Sequence, residues 1–173
     1  MKEVKWVLQG VPLDMTVSRL HGTSEGPRTI RRESRHLETF STLLHGDLED
    51  VPFADIGDIE LVPGDLSLSL EMIKAVSSNF FSRGLKVATL GGEHLLTLPV
   101  LEAASEAYPN MAVIHLDAHA DLRDRYRGTE KNHATVMRRV AENCLVNPSL
   151  LFQFGIRSAS AVEYRWGKEN TSF

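Results

Sequence analysis

Short apolar runs alternate with longer amphipathic segments along this chain, and the two kinds of segment predict different elements. The apolar runs have the length of buried strands, whereas hydrophobic residues in the longer segments recur with helical spacing. Strands are predicted at Val4–Leu8, Phe53–Ile56, Leu85–Leu90, Met111–Leu116 and Leu150–Phe154. Helices are predicted at Gly26–Arg35, Asp65–Phe81, Leu95–Tyr108, Ala134–Cys144 and Ser158–Lys168. Because strands and helices alternate, we expect an α/β fold in which a parallel sheet is flanked by helices.

Polar residues follow three of the predicted strands, at the place where such sheets bind ligands. In open parallel sheets, ligands lie beyond the carboxyl ends of the strands. The three segments are Gly91–His94, Asp117–Asp121 and Gly155–Ser158. We therefore expect a functional site at this edge of the sheet.

A ladder of potential metal ligands follows the fourth predicted strand. Asp117, His119 and Asp121 alternate there, and residues i, i+2 and i+4 of an extended chain share one side. Two carboxylates and one imidazole suit a divalent cation such as Mn²⁺. The alternative is a solvated acidic turn, since Asp is common in turns. His115 has the same alternation but lies deeper in the strand, so we expect it to be buried and hydrogen-bonded and not a ligand.

A pair of glycines follows the third predicted strand. Gly91 and Gly92 permit a tight turn or a close backbone approach, and they deliver His94 to the same edge as Asp117. Alone, this pattern is common; beside the Asp/His/Asp ladder it makes His94 a fourth candidate ligand. For Glu93 we expect a supporting role outside the ligand set or a helix cap, because an acid near a helix N-terminus is favourable.

The composition fits one globular domain and excludes several partners. Of 173 residues, 42% are hydrophobic and the formal net charge is −4, with basic residues scattered among acids, so no nucleic-acid partner is indicated. Apolar runs are far shorter than the roughly 20 residues of a membrane helix. The lack of a signal-peptide pattern and the single Cys144 favour a cytoplasmic protein. We expect Cys144 to be a small buried hydrophobic residue and not a nucleophile.

In combination, these motifs resemble those of the ureohydrolase (arginase/agmatinase) family. The segment GGEH is similar to the family motif GG-[DE]-H, and DAHAD is similar to the motif DAHxD. Further similar segments are Gly10–Asp14, Gly22–Arg28 and GIRS at Gly155–Ser158. Among family members, the run His133–Arg139 looks most like bacterial agmatinases.

The resemblance implies a three-layer, arginase-like fold and manganese-dependent hydrolysis of a guanidino compound, first of all agmatine to putrescine and urea. Family members hold two Mn²⁺ ions. Carried over by motif, His94, Asp117 and Asp121 would bind one ion. His119 would bind the other together with Asp117, which bridges the two. His133 would be the proton shuttle, since the ordinary pKa of an imidazole lies near neutrality.

Two positions depart from the family pattern. Ala134 follows His133 where many members have Gly, so His133 could instead cap the next helix or be a solvated loop residue. Leu95 replaces the small polar residue that usually follows the first motif histidine, which would change the hydrogen bonds around His94.

Some motifs that the resemblance implies are missing. The family completes its site with a later Asp-x-Asp pair and a carboxylate that holds the guanidinium, whereas only Glu163 and Glu169 follow Arg157. We therefore expect residues 1–173 to be one domain, the N-terminal portion of a ureohydrolase truncated before its final strands and inactive alone. Its strands would form two groups, because the family's last strands are inserted in the middle of the sheet. Bare strand edges and apolar faces between the groups would invite aggregation.

Two other hypotheses stay open. The protein could be another ureohydrolase, such as an arginase, a guanidinobutyrase or a formimidoylglutamase, because substrate choice depends on loops and on the absent motifs. It could also be a non-catalytic remnant that binds a metal or a partner protein. For the complete enzymes, the resemblance implies a small guanidino substrate and a homo-oligomer, either a trimer or a hexamer.

Overall fold

The computed structural model describes residues 3–143 and 145–173, and its strands and helices alternate as the sequence predicts. The strands are β1 (Trp6–Val11), β2 (Phe40–Ser41), β3 (Gly46–Asp47), β4 (Phe53–Asp58), β5 (Lys86–Gly91), β6 (Val113–Leu116) and β7 (Leu151–Phe154). The helices are α1 (Gly26–Ser34), α2 (Leu66–Phe81), α3 (Thr97–Ala107), α4 (Val136–Glu142) and α5 (Ala161–Asn170). Cys144, and with it the expectation about its burial, lies outside the described residues.

The parallel strands form two groups, as predicted. In one group β1 lies between β4 and β5, and in the other β6 pairs with β7. The ends of β5 and β6 meet across the two groups, where His94 contacts Asp121. The pattern of hydrophobic residues does not predict the antiparallel pair β2–β3, because strands of two residues are too short to show alternation.

Helices cover both faces of the β1 group. On one face, Gln9 of β1 donates a hydrogen bond to Ser77 of α2 at 3.0 Å. On the other, a Cβ added to Gly10 would lie 1.8 Å from Asp58 and 2.9 Å from Arg31 of α1. Because successive residues of a strand point to opposite faces, α1 and α2 lie on opposite sides of the sheet. The chain therefore has the expected three-layer arrangement, with helices on both sides of a parallel sheet.

Local polar contacts set where the helices begin. The carboxylate of Asp65 accepts a backbone N–H in the first turn of α2. Ser160 and Glu163 exchange hydrogen bonds in a capping box at the start of α5. The helix predicted from Leu95 begins only at Thr97, because a 3₁₀ turn precedes it. That turn holds the candidate ligand His94 at the sheet edge.

The strands β6 and β7 expose large apolar side chains. Ile114 and Leu116 are 67% and 76% exposed, and Phe154 is 54% exposed. Exposed apolar surface of this kind favours self-association. This surface lies on the strand pair next to the predicted gap, so the observation supports the expectation of bare apolar faces.

We expect the double substitution Ile114→Thr with Leu116→Thr to weaken self-association several-fold, because threonine keeps the strand propensity and removes apolar surface. Static light scattering over a concentration series measures the effect. Val162→Thr is the matched control, since Val162 is 66% exposed on α5, outside the strand pair β6–β7. Equal scattering by the double variant and the wild type would contradict the prediction.

Candidate metal centre

The ends of β5 and β6 bring four potential ligands together. His94, His115, Asp117 and Asp121 each offer one nitrogen or oxygen atom, and these atoms all lie within 4.8 Å of one another. No other group of this kind occurs in residues 3–143 and 145–173. Three of the four predicted ligands are therefore members of one cluster.

The two oxygens of Asp117 face different partners. Oδ1 accepts the backbone N–H of His119 at 2.8 Å and lies 3.3 Å from the Nδ1 atom of the same residue. Oδ2 lies 3.4 Å from His115 Nε2 and 4.0 Å from His94 Nδ1. Asp117 thus lies between His119 on one side and the remaining cluster on the other.

The surroundings favour the charge states that bind metals. Burial alone would raise the pKa of Asp117, but the His119 backbone N–H and the imidazoles of His115 and His94 together hold that pKa below its ordinary value. Burial, aided by His94, lowers the pKa of His115. At neutral pH the cluster therefore contains a carboxylate and a neutral imidazole, the protonation states that metal binding requires.

Asp121 reaches the cluster through a turn and not through extended backbone. β6 ends at Leu116, and Asp121 has a left-handed φ of 51°, which Asp tolerates better than most residues. Its backbone carbonyl accepts the N–H groups of Met137 and Arg138 at the start of α4. Its carboxylate lies 2.7 Å from His94 Nδ1. The structure brings Asp117 and Asp121 into one cluster as the alternation argument predicts, but without His119 and without the extended conformation that the argument assumed.

His119 lies at the edge of the cluster. Its side chain is 66% exposed, and it contacts Asp117 but is not one of the four converging residues. The backbone N–H of Ala120 donates to Ser158 O, and Ser158 N–H donates to Ala118 O, so the GIRS segment holds this loop. The position of His119 on the Oδ1 side of Asp117 is compatible with a second ion.

Glu93 supports the site without capping a helix. Glu93 is 4% exposed, and both its carboxylate oxygens accept the backbone N–H of Thr16, at 3.0 and 2.8 Å. It makes no side-chain cap bond to the following 3₁₀ turn, so the helix-cap expectation is wrong. Leu95, the other departure near His94, is fully buried in the apolar core and serves packing.

His133 lies in the same cleft in a defined tautomer. Its Nδ1 lies 2.8 Å from the carbonyl oxygen of Thr16, and its backbone N–H donates to Thr16 Oγ1 at 3.2 Å. Since a carbonyl can only accept, Nδ1 carries the hydrogen and Nε2 has the free lone pair. The side chain of Asn132, not His133, caps the following 3₁₀ turn, which removes the helix-cap alternative.

One cleft of about 660 Å³ contains all the predicted functional residues. Its lining includes His94, Asp117, His119, Asp121 and His133. A volume in this range suits a small-molecule ligand.

Sequence reasoning missed two residues that organise the cleft. Thr16 connects Glu93 to His133, and nothing in its loop sequence indicates this role. Gln153 is buried in β7 and donates hydrogen bonds to His115 and to Ala120 O. A signal for Gln153 exists, because it is a polar residue at a buried position of an apolar strand.

The two carboxylates of the cluster lack a Lys or Arg partner among the described residues. Asp117 and Asp121 have ion-pair partners among histidines, and neither has a Lys or Arg partner within 4.0 Å in the part of the chain that the structure describes. Buried carboxylates are normally paired or coordinate metals. The donor set of carboxylates and imidazoles therefore fits a divalent cation.

The α/β fold and the His/Asp cluster at the ends of its strands together indicate that this protein has a candidate metal centre at the edge of the parallel sheet, where ligands bind in such folds. Comparison with known proteins then gives the family. The model of the Arginase family matches residues 4–173, and the chain belongs to this family. The described residues contain no helix long and apolar enough to cross a membrane.

Individual relatives agree with the family assignment. An agmatinase from Bacillus subtilis is 42% identical over 169 residues, which cover 98% of this chain and 58% of the relative. A guanidinobutyrase from Pseudomonas aeruginosa is 32% identical over a stretch that covers 92% of this chain and 51% of the relative. A crystal structure from Clostridium difficile, provisionally assigned as an agmatinase, superposes with a TM-score of 0.93 at 36% sequence identity. The superposition covers 98% of this chain and 62% of that protein. This chain thus spans between half and two thirds of the length of these proteins.

Proposed function

We propose that this chain is part of a manganese-dependent hydrolase that converts a guanidino compound, first of all agmatine, to an amine and urea. The observation that carries the proposal is the cluster of His94, Asp117 and Asp121, whose carboxylates have no basic partner other than histidine among the described residues. The 42% identity to a Bacillus subtilis agmatinase supports agmatine as substrate.

The positions of the candidate ligands support one assignment to the two ions. His94, Asp117 and Asp121 would hold one ion, because their donor atoms converge. His119 would hold the second with Asp117, because it lies on the opposite carboxylate oxygen. Carboxylate and imidazole ligands suit Mn²⁺.

The chemistry explains why a guanidino hydrolase needs this site. A guanidinium group is a poor electrophile because its charge is delocalised, and water is a weak nucleophile at neutral pH. Divalent ions, when bound, lower the pKa of water to about 7 and so supply hydroxide. His133 would move protons at Nε2, because Thr16 already occupies its Nδ1–H. Tyr126, whose ring centroid lies 5.6 Å from that of His133, packs against it edge-on.

We further propose that residues 1–173 form one domain that lacks part of the complete site and does not hydrolyse amidines alone. The four candidate ligands would give one ion three protein donors and the other two, with Asp117 counted for both. Glu163 lies in the cleft, but its carboxylate already has partners, because it belongs to the capping box of α5 with Ser160 and pairs with Arg123 at 3.5 Å. Glu163 is therefore not free to hold a guanidinium.

A second substrate is supported by one relative. The guanidinobutyrase from Pseudomonas aeruginosa is 32% identical, and its name indicates a guanidino acid in place of a guanidino amine. Comparing the rates with agmatine, guanidinobutyrate, arginine and formimidoylglutamate in an active form of the protein separates these substrates.

We expect the purified 173-residue chain with Mn²⁺ to release no urea from agmatine. A chimera that joins it to the part of Bacillus subtilis agmatinase left uncovered by the alignment should release urea. The measurement is a colorimetric urea assay, with full-length Bacillus subtilis agmatinase as the positive control. Urea release by the chain alone would contradict the incomplete site, and a folded but inactive chimera would contradict the proposed function.

A further inference from the structure

The buried imidazole of His115 belongs to the cluster, yet its role is not fixed by proximity. The side chain is 6% exposed, and its ring stacks on that of His94 with centroids 5.2 Å apart. Its Nε2 lies 3.4 Å from Asp117 Oδ2 but has no hydrogen-bond partner of good geometry among the described residues. This atom could therefore be a metal ligand, through a lone pair, or a hydrogen-bond donor to Asp117.

The amide of Gln153 decides between these roles. Its Nε2 lies 2.8 Å from the carbonyl oxygen of Ala120, which can only accept, so the NH₂ group and not the oxygen occupies this position. The same Nε2 lies 2.9 Å from His115 Nδ1. Because an amide NH₂ group can only donate, Nδ1 must be the acceptor in this contact. The neutral ring then carries its hydrogen on Nε2, the atom that faces Asp117.

We propose that His115 is a positioning residue: its Nε2–H faces Asp117 Oδ2 in a long contact of 3.4 Å that favours the carboxylate, Gln153 fixes this tautomer, and His115 is not a ligand. The inference rests on the proposed metal site. Asp117 would then have an N–H group facing each of its oxygens, because the His119 N–H already donates to Oδ1. Residues that contact a metal ligand without binding the metal themselves orient that ligand, and their loss typically lowers metal affinity roughly 10- to 100-fold.

The tautomer can be measured directly in the metal-free chain. In a long-range ¹H–¹⁵N spectrum of histidine-labelled protein, we expect His115 Nε2 to have a protonated-type shift and Nδ1 a lone-pair-type shift. The signals are assigned by their loss in His115→Asn. A lone-pair-type shift at Nε2 would overturn the inference, whatever the metal affinity of the chain.

The substitution Gln153→Glu gives a second test, because the two possible roles of His115 predict opposite changes in Mn²⁺ affinity. A carboxylate at this position accepts a hydrogen from Nδ1 and moves the lone pair to Nε2. If His115 donates to Asp117, Mn²⁺ affinity should fall about tenfold or more. If His115 is a ligand, the affinity should rise. Electron paramagnetic resonance of free Mn²⁺ during titration measures the affinity, and circular dichroism checks the fold.

A matched control makes the same change elsewhere. Gln9 is also a buried strand glutamine, but it bonds Ser77 and Thr89 outside the cluster. Gln9→Glu should leave Mn²⁺ affinity unchanged; an equal loss in both variants would overturn the specific role of Gln153. If Gln153→Glu does not fold, the spectrum of the wild type still decides the tautomer. Absence of Mn²⁺ binding by the folded wild type would instead overturn the proposed metal site, independently of the tautomer.

Discussion

Asp117→Asn should lower the Mn²⁺ affinity of the chain by far more than the roughly hundredfold that loss of an outer hydrogen bond costs. The substitution keeps the shape of the side chain but removes its charge and one of its two acceptor oxygens. Both oxygens are in use, since Oδ1 faces His119 and Oδ2 faces His94 and His115. Isothermal titration calorimetry with Mn²⁺, or magnetic resonance of the free ion, measures the loss.

The same substitution should lower the stability of the metal-free chain only modestly. The pKa of Asp117 lies below its ordinary value, so its surroundings favour the carboxylate, and the substitution removes that contribution at neutral pH. We therefore expect a slightly lower melting temperature without Mn²⁺ and loss of the further stabilisation that Mn²⁺ gives the wild type. The loss of the Mn²⁺-dependent stabilisation, and not the small change in the metal-free chain, identifies Asp117 as a ligand.

Asp124→Asn is the matched control for Asp117→Asn. Asp124 is 64% exposed and pairs with Arg139 at 3.0 Å, so the same chemical change is made outside the cluster. Its Mn²⁺ affinity should equal that of the wild type. If Asp117→Asn bound Mn²⁺ as tightly as Asp124→Asn, the metal centre would lie elsewhere or not exist.

The sequence predicts most of the fold because each long element has a strong local pattern. α2 was expected from helical spacing, and the observed Leu66–Phe81 differs from the prediction by the cap residue Asp65 alone. β1 is shifted instead: the prediction at Val4–Leu8 becomes Trp6–Val11, because the strand pairs with β4 and β5 as far as Gly10 and Val11. Such pairing depends on residues distant in sequence and cannot be inferred from a local run.

For the candidate site, the sequence predicts which polar residues take part but not which residues hold them in place. The order of strands followed by ligand-type residues indicates His94, Asp117 and Asp121 without a structure. Thr16 contacts Glu93 and His133, which lie 77 and 117 residues further along the chain, and no pattern in the loop encodes these contacts. Likewise, the tautomer of His115 depends on Gln153 and on a carbonyl in another loop.

Gly92 shows how backbone packing, and not only ligand chemistry, shapes the GGEH segment. A Cβ added to Gly92 would lie 2.1 Å from the carbonyl oxygen and 2.9 Å from the nitrogen of Leu13. These are backbone atoms, so no side-chain rotation can remove the clash. The approach is also bonded, because Gly92 N–H donates to Val11 O and Glu93 N–H donates to Leu13 O. The glycine therefore lets the loop after β1 lie directly against the loop that carries His94.

Gly92→Ala should therefore have a large effect on both stability and metal binding. Overpacking in a closed site costs about 1–3 kcal/mol and occasionally more, and we expect about 3 kcal/mol here because the obstructing atoms belong to the backbone. Chemical denaturation measures this loss, and Mn²⁺ titration should show weaker binding because the displaced loop carries His94. Gly46→Ala is the control, since its added Cβ would meet only Leu44 O at 3.9 Å and should cost little. Equal stability of the two variants would show that Gly92 is not needed for close approach.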